Sequence, residues 1–579
     1  MLLENITTIF KNKGSRFDID NDRGIFILTV LKKILDNLIY NDKYKDIDNE
    51  MSDSNIGARK DRNIKNHLFI IYGVINSVVK GKEEPIDLQI FDIQKAFDAL
   101  WIEDCFNDLF DTLSDEHKND KLALLYASNA ENFVAVNTAV GITDRVNIPK
   151  IVQQGGTWGP VLCSNSMDTI GKKCCDRGEM HYLYKNTVRV LPLAMVDDLI
   201  GISKCGLDSI ELNTFMNIQI ELKKLKFHVP DKDGKTKCHK MHIGARDNIC
   251  STLTVHNTLM SNVTEDTYLG DIISSDGRNT KNVTSRISKG IGIITQINNL
   301  LEMVSLGHHY MEIALLFREA LFLNGILTNC EIWYGFTSSE VKEFENLDLN
   351  LLRKILQVPI STPHEAFYLE LGIIPVGIII KARRINYLHY LVTRIESEML
   401  HKFFVKQWFE PCRGDWTEKV KEDLAEFDIP CDWEFIKSKS RDSFKRLVKR
   451  KAHEYALKTL TEKQQKHSKM EKLVYTEIKA QNYLTLENIR VEQVRNIFRY
   501  RVRMAPYEEN FKGDREHVIC PLCGNHWDSQ NMSFQCKYLK EKVEIRCDMT
   551  DIYTDDITLD TARTITDMLR ARKEKLEEE

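Results

Sequence analysis

Along the first half of the chain the hydrophobic period keeps switching. Alternating or short apolar runs in "DLQIFDI", "VRVLPLAMV" and "YLGDIIS" predict strands, while stretches such as "FDALWIEDCFNDLF" repeat at helix spacing. From about residue 276 to 400 the pattern becomes helical, in "RISKGIGIITQINNLLEMV", "YMEIALLFREALFLNGIL" and "EFENLDLNLLRKIL". "EPCRGDW" reads as a linker, followed by Lys- and Glu-rich helices, the stretch "CPLCGNHWDSQNMSFQC" and an acidic tail ending "KEKLEEE". The expected organisation is an α+β part over 1–275, helices over 276–409, a basic helical region over 410–515 and a small Cys-rich module with its tail over 516–579.

Composition narrows the class. A chain of 579 residues with 42% apolar positions is too long for one core and long enough for several. No apolar run reaches the roughly 18 residues of a membrane span, and no signal peptide opens the chain, so a cytosolic or nuclear protein with no membrane partner is expected. Fourteen scattered cysteines argue for reduced thiols rather than a disulfide framework. The net charge of -5 conceals an asymmetry, since Lys437 to Lys451 carries eight Lys or Arg against one Asp.

The chemistry concentrates in aspartates. "AMVDD" sets Asp197 and Asp198 side by side after an apolar run, and "IFDIQKAFDALW" sets Asp92 at the end of an alternating one. Adjacent carboxylates repel, so a strand delivering Asp92 and a hairpin delivering the pair call for a cation between them. Mg²⁺ prefers carboxylate oxygens and phosphates, and two such ions stabilise the attacking and leaving oxygens of a phosphoryl transfer.

In order along residues 5 to 275, "ITTIFKNKGSRFDIDNDRGIFIL", "SDSNIGARKDRNIKNHLFII", "FDIQKAFDALW", "QQGGTWGPVLCSNSMD", "LAMVDDLIGIS" and "YLGDIIS" resemble the six motifs of the reverse transcriptase domain of non-LTR (LINE-type) retrotransposons. The resemblance implies a right-hand polymerase of fingers, a palm with an antiparallel sheet and a helical thumb, followed by a mostly helical C-terminal region with a zinc-knuckle-like module. It implies RNA-directed DNA synthesis with two Mg²⁺ ions, or Mn²⁺ in their place, on template RNA, a DNA primer and dNTPs. By motif position, Asp92, Asp197 and Asp198 match the catalytic metal carboxylates, and Phe97 the side chain that excludes a ribose 2′-hydroxyl. Gln154 and Gly155 match the turn along the template and nascent pair, Lys11 and Arg23 the fingers cations on the triphosphate, and Tyr268, Leu269 and Gly270 the primer grip. A general acid for pyrophosphate is expected from "KTKCHKMHIG", as Lys237 or Lys240.

The chain departs from the family at Met195, where an aromatic is usual, and at Gly159, where Ser precedes Pro160; Trp158 is bulky for a template-facing turn. Expected phosphate contacts are Lys381, Arg383 and Arg384 in "KARRINYLHYL" and Lys445, Arg446, Lys449, Arg450 and Lys451 in the basic run. Cys520, Cys523 and Cys536 supply three zinc ligands, with His526 as the fourth and His517 and Cys547 as alternatives, because Met532 stands where the family has His. The chain opens almost at the first fingers motif, and 43 residues follow Cys536. A fragment of a longer element protein, or a partner of an endonuclease encoded upstream or supplied in trans, is therefore expected. The competing reading is a nucleic-acid-binding remnant without catalysis; an RNA-dependent RNA polymerase is disfavoured by Phe97.

Overall fold

In the computed structural model, the described residues are all except 1–3, 13–14, 18–20, 119, 131–132, 139–140, 151, 177–180, 229–236, 246–251, 304–306, 513–517 and 579. The chain divides into two compact units. The first comprises residues 1–279, 332–335 and 394–418, and the second 280–331, 336–393 and 419–579. Residues 394–418, which the sequence pattern groups with the helices around them, thus pack with the first unit.

The first unit mixes strands and helices. It opens with β1 (Glu4–Phe10), β2 (Asp22–Ile27), α1 (Val30–Glu50), α2 (Ile64–Val79), β3 (Ile86–Asp92) and the short α3 (Ala96–Ala99). There follow α4 (Ile102–Thr112), α5 (Asp120–Ala130), β4 (Phe133–Thr138), β5 (Gly141–Ile142), β6 (Val146–Asn147) and α6 (Gly159–Asp176). Two hairpins come next, β7 (Tyr182–Tyr184) with β8 (Val188–Val190) and β9 (Leu193–Met195) with β10 (Asp198–Lys204), then α7 (Leu207–Leu222) and β11 (His239–Ile243). The last strands are β12 (Thr254–Val255), β13 (Thr258–Leu259), β14 (Ser261–Asn262), β15 (Glu265–Tyr268) and β16 (Asp271–Ser274).

The central sheet has the order β14-β11-β3-β10-β9, antiparallel except for the β11/β14 pair. Its middle strand β3 is buried from Ile86 to Phe91 because it is covered on both faces. Ile86, Leu88 and Ile90 point one way, while Asp87, Gln89 and Phe91 point toward the α7 side, where Gln89 donates to Ser209 O at 2.8 Å. α2 is apolar nearly all round and is accordingly buried over most of its length. Asn63 caps it by accepting from Lys65 N. A second sheet, β2-β1-β4-β5 with β6 on β4, has its own small core of Ile6, Phe26, Leu28 and Val134.

The second unit is helical among its described residues, and its interior is braced by buried ion pairs. Arg318 grips Asp348 with two bonds of 2.7 Å. Glu370, fully buried, accepts from Arg501 Nε at 2.9 Å and from Tyr483 Oη at 2.7 Å, and from Tyr475 Oη as well. Arg501 Nη1 donates to Ile552 O and Thr554 O, 2.7 and 2.8 Å away, and Nη2 to Gln481 Oε1 at 3.3 Å. Removing one partner from such a pair leaves the other charge buried and uncompensated. Glu370→Ala is therefore expected to lower unfolding free energy by about 3–5 kcal/mol, read as a shift of the urea midpoint; an unchanged midpoint would contradict this account of the second unit.

Candidate carboxylate site

Strand register brings the separated aspartates together. In the β3/β10 ladder Asp92 lies directly opposite Asp198, and Asp198 in turn faces Met195 across the β9/β10 hairpin. That hairpin closes with Val196 and Asp197 alone, so Asp197 sits at its tip next to the Asp92–Asp198 pair. Val196 has φ 59°, a left-handed conformation that a β-branched residue adopts only under strain.

Neighbouring segments hold this strained tip. Ala194 N donates to Ser54 O at 2.9 Å, and Ile56 N donates to Ala194 O at 3.0 Å, so the segment before α2 covers the hairpin edge. Ser164 donates to Gly57 O at 2.7 Å, and Asn55 Nδ2 donates to Ser164 O at 2.7 Å. Gly57 allows this approach, because a Cβ there would lie 2.8 Å from Val196 N and 2.6 Å from Ser164 Oγ. The glycine in "SNIGARK" was the available signal for this support, which sequence reasoning did not extract.

The electrostatics follow from crowding. Desolvation first, then the charges of Asp197 and Asp92, push the Asp198 carboxyl up to about 6, against the pull of Lys237. Asp197 is also raised, chiefly by desolvation and in part by Asp92, while Lys237 and Arg23 oppose the rise. Lys237 Nζ lies 3.1 Å from Asp92 Oδ2. Lys240, the other candidate acid, points away: it is buried and sits 3.2 Å from Asp87 Oδ2. Three hard oxygen donors on two adjacent strands and a two-residue turn fit Mg²⁺ by donor type, although their oxygens do not all lie within 4.8 Å of one another.

The other residues fall at varying removes. Arg23 is exposed on β2, and its charge reaches Asp197; Lys11, bonded through its N–H to Asn21 O, reaches Asp98 instead. Phe97, in α3 beyond Asp92, is half-buried against the main core, and its carbonyl accepts from Val152 N at 2.8 Å. Gln154 O accepts from Phe26 N at 2.8 Å, and Gly155 at φ 112° presses so closely on β2 that a Cβ would lie 2.8 Å from Phe26 O. Leu269 and Gly270 form the β15/β16 turn at φ 48° and 82°. Tyr268 beside them is buried, and its hydroxyl pKa is pushed up by desolvation and by the charge of Asp198.

Both departures at the "TWGP" stretch have structural reasons. Trp158 turns inward: it is buried, donates to Asp36 O at 3.1 Å and meets Tyr40 edge-on. At Gly159 a Cβ would lie 2.0 Å from Gln153 O, so no side chain fits there. Met195 lines a cavity of about 1080 Å³ together with Tyr40, Arg59, Lys60, Thr157 and Pro160.

Two groups of expected nucleic-acid contacts behave differently. In "KARR", Arg384 is buried against Asp423, Lys381 pairs with Glu426, and Arg383 donates to Leu327 O at 2.9 Å. These side chains brace helices and do not form an open basic surface. On the helix Arg441–Gln464, by contrast, Lys445, Arg446, Lys449 and Arg450 are exposed, and Arg446, Lys449 and Arg450 border a groove of about 400 Å³. Lys451 is paired with Asp428 at 2.8 Å. In the Cys-rich module the thiol sulfurs of Cys520, Cys523 and Cys536 lie within 4.8 Å of one another. Burial pushes the Cys536 thiol up to about 12. Neither His526 nor Cys547 joins this group among the described residues, and His517 lies outside them.

No family model matches the chain, and no curated protein matches it. Among solved structures, it is similar to telomerase from Candida tropicalis in complex with the TWJ fragment of telomeric RNA, at 12% identity and a TM-score of 0.35 over 77% of this chain and 64% of that one. It is similar to the corresponding complex from Candida albicans at 11% identity and a TM-score of 0.34, over 73% and 64% of the two chains. Apo telomerase from Candida tropicalis truncated from its C-terminal domain gives 14% identity and a TM-score of 0.27 over 43% and 44%. The chain thus covers less than two thirds of the length of each of these structures. No helix among the described residues is long and apolar enough to cross a membrane.

The raised Asp198 carboxyl has a consequence for stability. The folded chain holds this proton up to about pH 6, whereas an unfolded Asp releases it near 4. Stability from this group is therefore present at low pH and lost as pH rises through that window. Asp198 is exposed at the strand end, so water screens much of this effect; in EDTA at pH 7.5, Asp198→Asn is expected to raise Tm by at most about 1 °C, with the gain vanishing below about pH 4, and a lower Tm at pH 7.5 would contradict the crowding described here.

Proposed function

We propose that the chain is an RNA-directed DNA polymerase of a non-LTR retrotransposon, extending a primer 3′-hydroxyl on an RNA template. The observation that carries the reading is the register that sets Asp92 opposite Asp198 with Asp197 at the adjoining turn. Six motifs in family order support it from the sequence. In this reading the central sheet is the palm, and the β15/β16 hairpin with Tyr268, Leu269 and Gly270 is the primer grip.

Asp92, Asp197 and Asp198 would hold two Mg²⁺ ions, which supply charge neutralisation at the attacking and leaving oxygens. The three carboxylates would fix where those ions sit, and through them where the nucleotide phosphates lie against the primer terminus. Lys237, 3.1 Å from Asp92, would hand a proton to the departing pyrophosphate. Arg23 offers a guanidinium fork to the triphosphate, and Phe97 crowds the sugar's 2′ position. Gln154 and Gly155 lie along the template pair. The cavity beside Met195, with the exposed Lys60 on its wall, is where template RNA would run. The exposed cations of the helix Arg441–Gln464 add a sequence-independent phosphate surface. The three thiols of the Cys-rich module would hold one Zn²⁺ with water as the fourth ligand. An endonuclease, encoded in the same element or acting in trans, would expose the primer end.

Primer extension on poly(rA)/oligo(dT) with dTTP and Mg²⁺ tests the reading. The parent is expected to extend, and Asp197→Ala with Asp198→Ala to fall by at least roughly 10²-fold. Extension equal in both, or none by a folded parent that still binds the duplex, would overturn it, the second outcome favouring a binding remnant. In the same assay Phe97→Ala is expected to improve ribonucleotide use by roughly tenfold or more, and Lys237→Met to lower kcat by roughly 10²-fold with little change in KM. Unchanged sugar discrimination would remove Phe97 from the gate, and an unchanged kcat would remove Lys237 as the acid.

A further inference from the structure

At the other end of β3 from Asp92, the same sheet gathers a second set of metal-binding groups. Asp87 faces His242 directly across the β3/β11 ladder and faces Ser203 on β10, two residues before Cys205. His242 Nδ1 lies 3.1 Å from Asp87 Oδ1 and 3.3 Å from Cys205 Sγ, and Cys205 Sγ lies 3.5 Å from Asp87 Oδ1. Three ligand atoms of three chemical types therefore form a nearly equilateral triangle.

The size of that triangle is informative. Zinc bonds of about 2.0–2.2 Å to nitrogen or oxygen and about 2.3 Å to sulfur, at tetrahedral angles, separate neighbouring ligand atoms by about 3.3–3.6 Å. The observed edges match within a few tenths of an ångström. The surroundings match as well. His242 Nε2 lies 3.2 Å from Ala245 O, a pure acceptor, which sets the proton on Nε2 and turns the Nδ1 lone pair toward Cys205 and Asp87. Lys240 binds the outer oxygen of Asp87, Oδ2, at 3.2 Å, leaving Oδ1 for the triangle. Asp87 itself is fully buried, while Cys205 and His242 are partly open, so an ion has a route in and a fourth position for water.

We infer that Asp87, Cys205 and His242 form a binding site for a divalent transition ion of the Zn²⁺ type, on the face and end of the sheet away from the Asp92 site. Three strand ends meet at this site, and the ion would tie β3, β10 and β11 together there. Binding releases the Cys205 thiol proton to solvent, since the thiolate is the ligand. The inference does not depend on the polymerase reading and is tested without an activity assay.

The test uses the full chain in a Cys523→Ser, Cys536→Ser background, which removes the other thiol cluster, titrated with Co²⁺ alone after chelation. One equivalent is expected to give the near-ultraviolet thiolate-to-cobalt band and four-coordinate visible bands. Adding Cys205→Ser is expected to abolish the thiolate band, His242→Asn to weaken binding roughly tenfold or more, and the exposed-site control Cys431→Ser to change nothing. A band absent from the folded background, or surviving Cys205→Ser, would overturn the inference. Should Cys205→Ser fail to fold, iodoacetamide labelling mapped by mass spectrometry replaces it: one equivalent of Zn²⁺ is expected to slow alkylation of Cys205 at least tenfold, and an unchanged rate would overturn the inference.

Discussion

The meeting of Asp92, Asp197 and Asp198 at one end of the central sheet is the constraint on which the rest of the site depends. Register in the β3/β10 ladder sets Asp92 opposite Asp198, and a two-residue turn fixes Asp197 beside them. Nothing in the local sequence relieves the crowding, and the Asp198 carboxyl is raised to about 6, by desolvation first and then by the charges of Asp197 and Asp92. The support lies in distant segments: the Ser54–Gly57 stretch pairs with the hairpin edge, Ser164 on α6 locks that stretch, and Lys237 before β11 meets Asp92. Strain at Val196 persists because these contacts over-determine the turn.

This arrangement explains why β3 is so thoroughly buried. A strand that presents a charged residue near each end, one toward each face, is held in place by the apolar residues between them. A one-residue slip would exchange the faces, carrying Asp92 away from Asp198 and Asp87 away from His242. The register that builds the proposed polymerase site therefore also builds the Asp87, Cys205 and His242 triangle.

Much of the site was legible in the sequence because strand alternation and motif order both survive in a linear reading. Asp92 at the end of "DLQIF" and the pair after "VRVLPL" were placed by pattern alone. The choice between Lys237 and Lys240 was not legible, since it turns on parity. β11 begins at His239, and its register with β3 sends Lys240 to the Asp87 face, while Lys237 precedes the strand. The pairing of one charge run was not legible for a related reason: "KARR" carries no sign of Asp423 and Glu426, some 40 residues on, which neutralise Arg384 and Lys381, whereas the run on the helix Arg441–Gln464 stays exposed. The triangle was equally invisible, because 118 and 155 residues separate Cys205 and His242 from Asp87. At the Cys-rich module spacing identified the three thiols, but loop geometry keeps His526 out of their group.

The most direct test of the central claim replaces Mg²⁺ by Fe²⁺ and maps backbone cleavage by the hydroxyl radicals formed at the bound ion. Cuts are expected flanking Asp92 and the Val196–Asp198 turn, suppressed by excess Mg²⁺ and absent from Asp92→Asn. Cleavage elsewhere, or cuts at these positions that persist in Asp92→Asn and ignore Mg²⁺, would contradict the claim that the three carboxylates are brought together to hold metal.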